Sequence, residues 1–95
     1  MIGGFRPDLY GSDVPKTTVV VGEAKTALDL ETEHSLSQYN AFLNYLIGQP
    51  GATFVISVEW NAVAAARRVF GNIKKRLPAN SVNIIVIDET REYTI

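Results

Sequence analysis

The sequence contains no cysteine, one histidine and one tryptophan in 95 residues. Without cysteine, neither a disulfide framework nor a thiolate zinc site can form. The lone histidine, His34, excludes a metal centre built from several imidazoles. No apolar run approaches the ~20 residues of a membrane-spanning helix. Met1-Ile2-Gly3-Gly4 has neither the basic region nor the apolar stretch of a secretory leader. The expectation is therefore a soluble, cytoplasmic protein with no membrane partner. Charge of one sign is also missing: nine Lys and Arg against ten Asp and Glu leave a formal net charge of -1. Nucleic-acid-binding domains are usually basic. This balance weighs against such a partner unless a bound divalent cation supplies positive charge where the acids gather.

What is present suffices for a core. Apolar residues make up 46% of the chain, which fits one globular α/β domain spanning 1–95. A domain of this size buries about 60–65% of its unfolded surface, so its stability margin is thin. Residues 5–10 read as a short strand and 11–16 as a turn-rich connection. Residues 17–25 read as a strand whose Val19-Val20-Val21 run suggests burial on both faces. A polar, acidic connection over 26–34 leads to a helix over 35–47, with Ser35 and Gln38 spaced as a capping box. Leu36, Tyr39, Leu43, Leu46 and Ile47 form its apolar face, and Gly48-Gln49-Pro50-Gly51 stops it. Residues 53–60 make another buried strand, Asn61 a candidate cap for a helix over 62–77, and residues 82–88 the last strand. The order is ββαβαβ, with a mixed sheet: an antiparallel hairpin first, then parallel pairing across two helical crossovers.

One feature breaks the apolar pattern. Glu23 and Lys25 sit at the end of the valine strand, two residues apart and so on one face. Charged groups in buried strands are costly unless paired or metal-bound. If the hairpin turns tightly about Pro15-Lys16, paired residues sum to 31 and Asp8 lies opposite Glu23, whereas a different register would separate them. Directly opposed side chains have Cβ atoms about 5 Å apart. Two carboxylates that close repel unless a cation lies between them, and oxygen ligands suit Mg²⁺ or Mn²⁺.

Pro7-Asp8 followed by Glu23-Ala24-Lys25 at a strand end resembles the PD-(D/E)xK motif of restriction-endonuclease-like nucleases. The strand-helix-strand order after it is similar to that fold too, and the similarity covers nearly the whole chain. The resemblance implies a Mg²⁺- or Mn²⁺-dependent nuclease, cleaving DNA in preference to RNA. Asp8, Glu23 and the Ala24 carbonyl would be metal ligands. Lys25 would act on the attacking water or on developing phosphorane charge, and Gln38 would join it from the following helix. The family branch with tyrosine four residues after this glutamine is not matched, since position 42 is Phe; Tyr45 lies seven beyond Gln38. The family core usually begins with a helix and a strand ahead of the Pro-Asp strand, and here only Met1 to Phe5 precede it. The expectation is a minimal version of the fold or a piece of a longer chain. Its uncovered sheet would pair in a homodimer or with a missing N-terminal region. The alternative function is a catalytically inactive nuclease-fold module that binds nucleic acid or protein.

Plainer roles compete for the same residues. Asp8 could be a turn residue, and Glu23 and Lys25 an ion-paired set with Arg6. Gln38 could serve only the capping box. His34 reads as solvated, and Asp29, Glu31 and Glu33 as a solvated acidic loop. Arg67, Arg68, Lys74, Lys75 and Arg76 give the second helix a basic side, read as a solvated face rather than a phosphate track. Trp60 reads as core or rim packing rather than a base-stacking platform.

Overall fold

A computed structural model describes residues 1–13 and 18–95. Residues 14–17, where the sequence reading puts the Pro15-Lys16 turn, lie outside the described residues. The elements are β1 (Leu9–Ser12), β2 (Val19–Lys25), α1 (Glu33–Ile47), β3 (Thr53–Val58), a 3-10 turn (Trp60–Ala62), α2 (Val63–Arg76), β4 (Asn83–Ile87) and β5 (Glu92–Thr94). They build one five-stranded sheet in the order β1-β2-β3-β4-β5. The two outer pairs are antiparallel and the two inner pairs parallel. The chain is thus α/β with a mixed sheet. Among the described residues no helix is long and apolar enough to cross a membrane.

The inner strands follow one another in sequence and in space. Right-handed crossovers that step in one direction must lay both helices on the same face of a sheet. Burial agrees: Val21, Phe54 and Ile84 lie in register across β2, β3 and β4 and are fully buried beneath the helices. α1 contributes Tyr39 and Phe42 and α2 contributes Phe70 to an aromatic cluster about Phe54. Tyr39 and Phe70 are the tightest pair, with centroids 4.8 Å apart. The opposite sheet face carries Val20, Val55, Ile85 and Ile87, all half-buried, and Leu9, which is 56% exposed. No element among the described residues covers it.

Several elements depart from the sequence reading. The first strand lies at Leu9–Ser12 rather than 5–10, because residues 2–5 close into a small turn bridged between Ile2 and Phe5. Gly3 permits that turn: its φ is +57°, and a Cβ there would come within 2.8 Å of the Ala41 Cβ on α1. Val20 is not buried with Val19 and Val21, since it faces the uncovered side. α1 starts at Glu33, two residues before the expected range of 35–47, and its cap lies three residues before Ser35. Its cap is Thr32, whose hydroxyl accepts the Ser35 N–H at 3.1 Å. Leu36 turns outward, and Phe42 takes its place in the core. Asn61 does not cap α2, because a 3-10 turn leads into that helix without a side-chain cap. Trp60 is not packed but 71% exposed. β5, absent from the reading, pairs with β4 after a turn organised by Asp88, whose Oδ1 accepts the Thr90 and Arg91 N–H groups.

Candidate active site

The hairpin register is the one the residue numbers imply. Leu9 faces Gly22, Tyr10 faces Val21 and Ser12 faces Val19, so every pair sums to 31. Asp8, one residue before β1, comes against Glu23. Its backbone N–H donates to Glu23 Oε1 at 3.0 Å, and its own Oδ2 accepts the Ala24 N–H at 2.8 Å. β1 therefore hands over from backbone pairing to side-chain pairing at the point where β2 carries its charged residues.

Glu23 projects from the helix-covered face of β2 and is only 5% exposed. Burial raises its pKa above the ordinary 4.5; the Asp8 N–H opposes this, the Asp8 charge adds to it, and Lys25 opposes it. Lys25 Nζ lies 3.8 Å from Glu23 Oε2 and donates a short hydrogen bond to Gln38 Oε1 on α1. The lysine is thus held between a carboxylate on its own strand and an amide on the helix above. The connection after β2 is pinned from below, where the buried Tyr39 hydroxyl donates to the Leu30 carbonyl at 2.9 Å. That bond sets how α1, and with it Gln38, returns over the end of β2.

Asp8, Glu23, Ala24, Lys25 and Gln38, five residues drawn from three segments, converge at one corner of the sheet. Among the described residues no group of three or more His, Cys, Asp or Glu could hold a metal. The corner offers two carboxylates, each with one oxygen in a backbone hydrogen bond and further lone pairs to give. In an extended strand a residue's carbonyl leaves on the side of its N–H, so the Ala24 carbonyl belongs to the same edge as Asp8. Two carboxylates and a carbonyl, completed by water, are a donor set that suits Mg²⁺, which keeps several waters and takes one or two protein carboxylates. A cation there would also relieve the crowding of Glu23 by Asp8.

The remaining candidates stand apart. His34 is exposed in the first turn of α1, edge-on to Phe5 at 5.6 Å. Glu31 accepts both terminal nitrogens of Arg68, at 3.0 and 3.2 Å. Asp29 is held in a turn by Thr26, whose hydroxyl accepts the Asp29 N–H and donates to Asp29 Oδ2. On α2, Arg67 lies over the Tyr93 ring and Lys74 donates to the Val82 carbonyl, so the basic side is partly engaged within the fold.

Sequence reasoning missed Tyr10. It follows Asp8 by two residues, and its hydroxyl meets that of Tyr45 at 2.9 Å. The parity that links Asp8 to Glu23 would have found it. No known protein family, characterised protein or solved structure matches the chain.

Proposed function

We propose that this corner is the active site of a metal-dependent phosphodiesterase of PD-(D/E)xK type, cleaving DNA. The observation that carries this reading is the convergence of Asp8, Glu23 and Lys25, with Gln38 bonded to the lysine. A fold with no chemistry to perform gains little from placing two acids side by side, one of them buried.

Asp8, Glu23 and the Ala24 carbonyl would hold Mg²⁺ or Mn²⁺. When bound, the ion supplies charge neutralisation at the phosphate and a more acidic water. Lys25 presents its ammonium on the same face, where it stabilises charge that develops as the phosphorus gains a fifth oxygen. Gln38 is a positioning residue: by accepting from Nζ it keeps the ammonium from collapsing fully onto Glu23. The net charge of -1 gives no general attraction for DNA, so the ion and Lys25 carry the local attraction at the phosphate.

The test compares wild type and Lys25→Ala, purified identically, on plasmid, linear and branched DNA with Mg²⁺ or Mn²⁺. The expected result is a loss of about 10²–10³ in turnover with metal binding retained. Equal cleavage by both proteins removes Lys25 from the chemistry.

The uncovered sheet face favours a second reading, a nuclease-fold module that binds protein. A cavity of about 160 Å³ opens there, among Leu9, Gly22, Val55, Ser57 and Ile87, and reaches Asp8, Glu23 and Ala24 at the acidic corner. Wild type that cleaves no DNA form yet self-associates in light scattering replaces the enzyme with that module.

A further inference from the structure

Beside the acidic corner, on the same side of β1, lies a cavity of about 280 Å³ lined by Met1, Ile2, Pro7, Tyr10 and Tyr45. None of these side chains is charged. The two tyrosine rings stand 6.3 Å apart, tilted by 52°, with their hydroxyls hydrogen-bonded at 2.9 Å. We infer that this pocket is a subsite for an unpaired nucleobase next to the reacting phosphate, so that the site acts on single-stranded or frayed DNA. The inference rests on the phosphodiesterase reading and names its substrate class.

Placement is the first support. Tyr10 follows Asp8 by two residues, about 7 Å along an extended strand, and faces Val21 where Asp8 meets Glu23. Tyr45 follows Gln38 by seven residues on α1, two turns along the same helix face. The two segments that hold Asp8 and Gln38 therefore continue directly into the tyrosine pair. A strand with its phosphate at Asp8 and Glu23 would bring a neighbouring nucleotide to the pocket.

Chemistry is the second. A phosphate group would need cationic or amide donors; no side chain of the lining is cationic, and the one cationic group there, the Met1 α-ammonium, belongs to a residue that is 88% exposed. Ring faces and apolar walls suit a flat, neutral aromatic group. Of the two phenolic hydrogens one is spent between the tyrosines; the other remains to donate to an acceptor on a base edge. The volume falls just below the ~300 Å³ at which sites for drug-sized ligands begin. It admits one ring system but not a base pair. A paired base is stacked inside the duplex and reaches such a pocket only by leaving the stack.

Fluorescence anisotropy tests this on the wild-type chain, with Ca²⁺ replacing Mg²⁺ so that binding is read without turnover. The probes are a labelled single-stranded oligonucleotide, its duplex, and the single strand with one abasic position moved along it. The single strand should bind at least about tenfold more tightly than the duplex. One abasic position should cost roughly 5- to 150-fold, the range for losing one stacked base. Tyr10→Ala should cost the single strand a similar factor, leave the duplex unchanged and erase the abasic effect. Tighter binding of duplex, or indifference to every abasic position, overturns the subsite, and the abasic series needs no folded variant. If Lys25→Ala abolishes cleavage while abasic positions have no effect, the subsite alone fails. If abasic positions weaken binding through Tyr10 while no DNA is cleaved, the subsite stands and hydrolysis fails. No binding of any probe overturns both.

Discussion

Glu23 carries the largest electrostatic tension in the site, because an acid that is 5% exposed shares its surroundings with Asp8. Its folded pKa lies above 4.5, so the folded chain binds this proton more tightly than the unfolded chain. The contribution to stability is full below the unfolded value and is lost as pH rises through the folded one. Thermal melts of the metal-free protein should show stability falling over the window that opens at about pH 4.5, through this group. Glu23→Gln keeps an oxygen for the Asp8 N–H and removes the charge, so its profile should be flatter there. An identical pH profile in the variant would mean that the carboxylate is not strained. Lys25 and Gln38 sit on the other side of this balance, one as the nearby cation and the other as its anchor.

At the scale of elements, the site depends on how α1 begins. Thr32 accepts the Ser35 N–H and donates within the same turn, and this fixes the first residues of the helix that carries Gln38 and Tyr45. Thr32→Ala should cost about 1 kcal/mol, or roughly 4–8 °C in Tm for a domain of this size. Calorimetry would check it, and a change below about 1 °C would place the effective cap elsewhere. Ser35, buried and bonded to Thr32, is a partner in this cap rather than its origin. Spacing alone could not distinguish these roles, because Ser35-Gln38 and Thr32-Ser35 are both plausible starts three residues apart. The choice fell to tertiary contact: Gln38 is drawn away to Lys25 and cannot turn back to a cap.

Across the whole molecule, two helices cover one sheet face, and the acids gather at the corner where β1 stops pairing. Binding of a divalent ion to the folded state alone stabilises it by mass action, about 2.7 kcal/mol at a hundredfold excess over Kd. On this fold that is a rise of roughly 10 °C or more in Tm on adding Mn²⁺. Asp8→Ala and Glu23→Ala should each remove the shift, since each takes away half of the carboxylate pair. An undiminished shift in the double variant would place the ion elsewhere.

The sequence by itself determined the alternation of β2, α1, β3, α2 and β4, because short continuous apolar runs mark the strands and apolar periods near four residues mark the helices. It also offered the acid pair, because strand parity puts Asp8 opposite Glu23 once the register sums to 31, and the pairing of β1 with β2 takes that register. Three things were decided only by the tertiary structure. β5 is three residues long, too short to show a period, and exists because the edge of β4 accepts it. Trp60 is exposed because the chain leaves the sheet at Glu59 and turns before that side chain can reach the core. The union of Lys25 with Gln38, and of Tyr10 with Tyr45, depends on where α1 returns over β2 and β1, a distance that no local pattern encodes.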